Sequence, residues 1–311
     1  TVTQGKVEGL ALTSVDFENQ GHIDCQDVDA GTSNLSIAGW FKLDSSNMGG
    51  STGTLIAKGD NSGNRVWTVF YSAGNGVRFA LSDSGSAFND EVTSSGAITD
   101  TNWHHFVATY EPSTAIKIYI DGVLEGTNSS GISSSLRDTN DDLRIGQNSD
   151  GAVQFNGQLR DMRIYDYTKS AEQVASLYSG TYPQTPLHWW KIDEGSGGNG
   201  DPVEDHGTAT DKDGTLGPAG QAPNWINGTL DLDGNSEYAL IVTPTGTLSA
   251  PRGTLDLGGD FRFEDGANFT HNSGLVWFTS SDPNLKMVHS SAGRKTPTNP
   301  LVFNNLKTSS S

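Results

Sequence analysis

This 311-residue chain holds a single cysteine, Cys25, so no intramolecular disulfide can staple it. Cys25 sits in the apparent strand GHIDC, where a small buried apolar residue is expected. Basic charge is scarce as well. Lys and Arg total 19 against 37 Asp and Glu, a net charge of −18, which excludes the cationic footprint that nucleic acid or an anionic membrane surface requires. No run approaches the roughly 20 apolar residues of a membrane-spanning helix, so no membrane insertion is expected.

Catalytic signatures are missing too. No G-x-S-x-G elbow surrounds a serine. Asp90-Glu91 and Asp193-Glu194 are adjacent pairs, and neighbours on a strand point to opposite faces, so neither pair can share one substrate atom. A non-enzyme is expected. The same parity argues against a metal pair at His104-His105, one of which is expected at the core edge and the other at the surface.

What the chain has in quantity is glycine, 38 residues, which with abundant Ser and Thr suits short strands joined by tight turns. Hydrophobic content of 33% is low, yet it suffices for an all-β protein with one solvated sheet face. The most informative run begins at Asn102, NWHHFVATYEPSTAIKIYIDGVLEG. Ile116, Ile118 and Ile120 alternate with Lys117, Tyr119 and Asp121, the period of a half-buried strand. Asp121-Gly122 then supplies two-residue hairpin chemistry. LRIG, FNGQLRDMRIYD and a Ser-capped helical patch from Ser170 to Tyr178 follow. Together W-H-H, Y-I-D-G-V and F-N-G…R-I-Y resemble the laminin-G-like (concanavalin A-like) jelly-roll family, with the pentraxins as cousins. The resemblance covers about residues 5–180 and implies an antiparallel β-sandwich that presents binding surfaces.

Beyond it, 187–216 (LHWWKIDEGSGGNG…DGTL) resembles the leader strand and Gly/Asp loop that precede such modules, and 225–242 resembles the first-strand segment of residues 5–24. No leader stands before the first copy, which leads to the expectation that the natural protein extends upstream of Thr1. Past Val242, short strands alternate with Gly-rich turns. The T-H-N-S-G-x-V-x-F and F-x-N-L phrases there resemble repeats of bacterial-surface and phage structural proteins. The expected organisation is therefore a sandwich over 1–180, a linker over 181–186, a partial or diverged second module over 187–250, and a Gly-rich β module over 251–311, solenoid-like or partner-dependent.

Two candidate sites emerge. The resemblance to pentraxins implies a calcium loop with Asn148, Asp150 and Gln154 as oxygen donors for Ca²⁺. The Asp-Asn pair of those relatives has no acid here, Ser51-Thr52 standing near its place. A sugar site needs an aromatic platform, for which Trp40, Trp67 and Tyr71 are the candidates. Trp40 lies opposite the face shared by Leu35, Ile37, Phe41 and Leu43. The expected function is a non-enzymatic structural or adhesion protein of a bacterial cell surface or virion. Its partners would be a glycan or surface protein, and neighbouring subunits. The alternatives are a carbohydrate-binding accessory region of a secreted polysaccharide-degrading enzyme, or a purely architectural decoration.

Overall fold

The computed structural model describes residues 13–17, 21–44, 52–60, 62–72, 74–151, 153–180, 184–209 and 211–227, and short strands between 229 and 308 whose backbone alone is described. The described residues fall into two compact units, Val15–Trp225 and a second made mainly of Ile226–Ser311.

The first unit contains β1 (Thr13–Phe17), β2 (His22–Asp24), β3 (Leu35–Leu43), β4 (Thr52–Lys58), β5 (Trp67–Ser72), β6 (Gly76–Leu81), β7 (Asp90–Thr93) and β8 (Trp103–Glu111). These are followed by β9 (Ala115–Ile120), β10 (Val123–Asn128), β11 (Leu143–Ile145), β12 (Gly157–Tyr165) and α1 (Ala171–Tyr178). Last come β13 (His188–Trp190), β14 (Pro202–Val203), β15 (Gly214–Gly217) and β16 (Asn224–Asn227), of which the first two residues belong to this unit. They build two sheets, β10-β9-β8-β3-β12-β1-β16 with β13 also on β12, and β14-β15-β2-β11-β4-β5-β6-β7. All registered pairs in both are antiparallel, the sandwich that the alternating strands imply.

Local sequence explains the elements. Ile116 and Ile118 are fully buried while Lys117 between them is not, as the period-2 pattern requires. Asp121 and Gly122 both have positive φ, 51° and 80°, the geometry of the tight turn that joins β9 to β10. Ser170 caps α1 through a capping box with Gln173, and Val174 and Leu177 bury against Ala38, Val107, Tyr119 and Tyr165 on the outer face of the first sheet. Between the sheets lies one core that includes Leu35, Ile37, Phe41 and Leu43, with Cys25 inside it. Burial holds the Cys25 thiol well above its usual pKa.

The sandwich runs past the boundary expected at 181–186. Along one edge of β12, residues 157–159 pair with β1 and residues 162–164 with β13. Between them Asp161 adopts a φ of 58° and its carboxylate accepts from Arg163 Nε and from Trp189 Nε1, at 2.8 and 2.6 Å. On the other sheet β15 pairs with β2. Trp190, Ile192, Val203 and Leu216 enter the shared core. Residues read as the leader of a following module thus complete this one.

One device recurs. His104 Nδ1 lies 2.7 Å from Asp121 Oδ2, and Asp121 Oδ1 accepts from His105 N at 2.8 Å. His188 Nδ1 likewise lies 2.7 Å from Asp205 Oδ2, and Asp205 Oδ1 accepts from Trp189 N at 2.8 Å. Each carboxylate clamps the start of a strand through a histidine ring and the next backbone N–H.

In the second unit the strands are β17 (Thr229–Leu232), β18 (Leu240–Val242), β19 (Thr247–Ser249), β20 (Thr254–Leu257), β21 (Phe261–Glu264), β22 (Asn268–Thr270), β23 (Leu275–Phe278), β24 (Leu285–Val288) and β25 (Asn305–Thr308). All pair in parallel, in the orders β17-β20-β23-β25, β18-β21-β24 and β19-β22. Successive turns about 20–30 residues apart stack strand on strand, as in a solenoid. Thr229–Leu232, expected as the opening strand of a second sandwich, is the first layer of this stack. The T-H-N-S-G phrase falls largely outside the described residues.

If the strands beyond residue 187 belong to the sandwich, Trp190→Ala must destabilise all of it. Urea unfolding should show a loss of about 3–5 kcal/mol, the usual cost of emptying a buried tryptophan site. A loss below about 1 kcal/mol would make these strands ornamental.

Candidate functional site

Strand parity decides which aromatic residues are available. On β5, Trp67 and Tyr71 point inward and are each only 1% exposed, and Tyr71 OH donates to Ile98 O at 3.3 Å. Neither can stack on a sugar, which corrects the expectation for both. The phase facing outward is Thr68, Phe70 and Ser72. Cross-strand pairing places Thr54, Phe70, Arg78 and Thr93 in one row across β4 to β7. The neighbouring row is Asp24, Arg144, Ala57, Thr68, Ala80 and Glu91. Its central side chains, Ala57, Thr68 and Ala80, are buried, whereas Phe70 in the adjoining row is partly exposed. The Arg78 guanidinium lies 5.7 Å from the centre of that ring and is ion-paired with Glu91. Beside this row is a cavity of about 490 Å³ lined by Ser72, Asn75, Arg78, Thr93, Ser94 and Ser95.

Trp40, on the outer face of the other sheet, is embedded in a cluster. Arg160 lies 5.2 Å from its ring centre and 4.4 Å from that of Trp103. Tyr178 stacks on Trp40 at 5.8 Å and His105 approaches it at 5.0 Å. These contacts take up the ring surface that a sugar would need. Trp40 is correctly placed opposite the core, but as packing beneath the end of α1.

The calcium loop is organised by its own hydrogen bonds. Asn148 is 3% exposed and its Oδ1 accepts from Val153 N at 3.1 Å. Ser149 O accepts from the Arg144 guanidinium at 2.9 Å, and Gly151 O from Gln147 Nε2 at 3.4 Å. Asp150 is exposed, and Gln154 is half-buried in a backbone bridge to Gln147. A further acid beside the loop was missed in sequence. Ser149 N donates to Gly59 O, and Asp60 follows, with its Oδ1 accepting from Ser62 N and Asn64 N at 2.8 Å. Those two bonds hold its carboxyl below the usual range against the opposing effect of desolvation. Ca²⁺ wants six to eight oxygens, and here several acceptors already serve N–H groups while a guanidinium faces a candidate carbonyl. As arranged, the loop does not fit the ion. Among the described residues no three His, Cys, Asp or Glu converge as metal ligands.

The Asp90–Glu91 pair on β7 behaves as parity requires, whereas Asp193-Glu194 lies outside any strand. Asp90 is buried and accepts from Ser133 N at 3.0 Å, whereas Glu91 faces outward to Arg78. Neither histidine of the W-H-H motif lies free at the surface. His105 is buried beneath Tyr178, and desolvation depresses its pKa to about 4. His104 sits between two carboxylates, Asp121 at 2.7 Å and Asp100 at 3.1 Å, and lines a second cavity of about 210 Å³.

The two antiparallel sheets, with the helix closing the outer face of the first, define a jelly-roll sandwich. The laminin G family model of the concanavalin A-like lectin/glucanases superfamily matches residues 17–175, and the chain belongs to that superfamily. A curated relative, usherin of Mus musculus, is 26% identical over 178 residues. The match takes in 55% of this chain and 3% of usherin, so the chain spans a small part of that protein's length. Among solved structures, a putative carbohydrate binding protein from Bacteroides ovatus aligns with TM-score 0.49 and 17% identity, over 70% of this chain and 62% of that one. A heptameric SAP-like pentraxin from Limulus polyphemus aligns with TM-score 0.42 and 16% identity, over 55% and 83%.

The His104 clamp carries a pH signature. Hydrogen bonding to Asp121, then to Asp100, raises its folded pKa above the ordinary 6.5, against partial desolvation. A raised histidine pKa gives stability that is complete below about pH 6.5 and is lost as pH climbs through the folded value. Between pH 6 and 8.5 the wild type should therefore lose more Tm than His104→Gln. Parallel curves for the two proteins would remove the clamp's electrostatic role.

Proposed function

We propose that this protein is a non-enzymatic recognition module of a bacterial cell surface or virion, and that its sandwich binds glycan on the outer face of the second sheet. The observation that carries this reading is Phe70. A core aromatic would be sealed, but this one is partly exposed in mid-sheet, with Arg78, itself ion-paired with Glu91, over one face of its ring and Thr93 next in the row. Sugar rings stack their C–H faces on such a surface while flanking polar groups bind the hydroxyls. The acidic charge of −18 and the lone, buried cysteine suit a displayed head that needs no oxidative folding. Calcium has no part in this mode of binding.

A glycan array followed by calorimetry on the strongest ligand tests the reading. Phe70→Ala should weaken binding about tenfold or more, the order expected for losing a stacked ring. Asp150→Ala should leave binding unchanged, with or without EDTA. The opposite pattern, binding lost in Asp150→Ala and kept in Phe70→Ala, would move recognition to the 147–154 loop.

A further inference from the structure

We infer that Phe70 is one end of a channel that holds an internal stretch of a neutral, hydroxyl-rich oligosaccharide of about three rings. This deepens the carbohydrate reading above and rests on it. Arg78 is the cross-strand partner of Phe70, and Thr93 that of Arg78. Both line the 490 Å³ cavity together with the hydroxyls of Ser72, Ser94 and Ser95 and the amide of Asn75. Ser94 and Ala97 also belong to the wall of the 210 Å³ cavity, which continues to His104, Asp121 and Glu125. Phe70 adjoins the polar cavity through Arg78, and the two cavities adjoin along the 94–97 segment, so the inferred path offers one place for each ring.

The channel wall is built in advance. Ser94 Oγ accepts from Val77 N at 3.0 Å, and Ser94 N donates to Val77 O at 2.9 Å, which pins the 94–97 segment to β6. Gly76, at a φ of 90°, lets that segment lie close, because a Cβ there would strike Ser94 Oγ and Gly96 O. Ser95 Oγ, in the wall of the first cavity, is hydrogen-bonded to Glu125, in the wall of the second. A wall that needs no reordering keeps the cost of binding low.

Charge selects the class of sugar. The one guanidinium in the channel is matched by Glu91. The far cavity is lined by Asp100, Asp121 and Glu125, against His104 alone. A uronic acid or sulfated sugar would meet net negative charge there and a long-range field of the same sign. Hydroxyl donors find carboxylate, amide and hydroxyl acceptors along the whole path.

The test is calorimetry on the full chain in EDTA. Neutral gluco-, manno-, galacto- and xylo-oligosaccharides of one to six rings serve as probes, with oligogalacturonate and heparin oligosaccharides as acidic ones. At least one neutral series should gain about tenfold or more in affinity between one ring and three, then level off. Asn75→Ala and Thr93→Ala, at surface positions, should weaken trisaccharide binding several-fold and leave monosaccharide binding as it was. Equal affinity for one ring and three would overturn the channel while leaving glycan recognition at Phe70 standing. Tighter binding of the acidic probes would overturn the neutral selectivity. No binding of any probe, with Phe70→Ala indistinguishable from wild type, would overturn the glycan reading and this inference with it.

Discussion

The apolar core shared by two antiparallel sheets is the constraint on which everything else rests, and it is closed from both ends of the sequence. Strands β1 to β12 bring most of the buried side chains, but Trp190, Ile192, Val203 and Leu216 enter the same core from a segment more than twenty residues past β12. That segment adds β13 to the first sheet and β14 and β15 to the second, and the His188–Asp205 clamp fixes its entry as His104–Asp121 fixes β8. With the inner faces buried, the outer ones are free to differ. One is sealed by α1 and its aromatic neighbours; the other keeps Phe70 open.

Strand parity links this packing to recognition. A β-strand with one buried phase must display the other, so the choice of core residues in β5 fixes what the surface can offer. Trp67, Val69 and Tyr71 fill the core, and Thr68, Phe70 and Ser72 are left outside. Ala57 and Ala80 on adjacent strands are themselves buried, and Ser72, Asn75, Ser94 and Ser95 line the polar cavity beside the row. What this face displays thus follows from the same alternation that makes the fold.

The sandwich was legible from residues whose neighbours are local. The Ile116–Ile120 alternation, the Asp121-Gly122 turn and the Ser170 cap each depend on a few adjacent positions, and each forms as the pattern dictates. The site was less legible because β5 carries aromatic residues in both phases, so composition favoured the larger Trp67 and Tyr71 over Phe70. In the 147–154 loop the oxygen donors were visible but not the claims upon them. Arg144 and Val153 take acceptors through contacts that local sequence does not display. The extent of the sandwich was hidden for a similar reason, since a leader strand looks alike whichever sheet it joins, and β13 with β12 or β15 with β2 is a long-range choice.

The central claim is that recognition lies on the outer face of the second sheet and not in the 147–154 loop. Backbone amide shifts of the labelled protein, followed by NMR during titration with a neutral oligosaccharide in EDTA, test it most directly. The account predicts perturbations at Thr68–Ser72, Asn75, Arg78 and Thr93–Ala97, reaching His104, Asp121 and Glu125 with the longer probes, and none at Asn148–Gly151. Shifts centred on Asn148–Gly151, or appearing only when calcium is added, would contradict it.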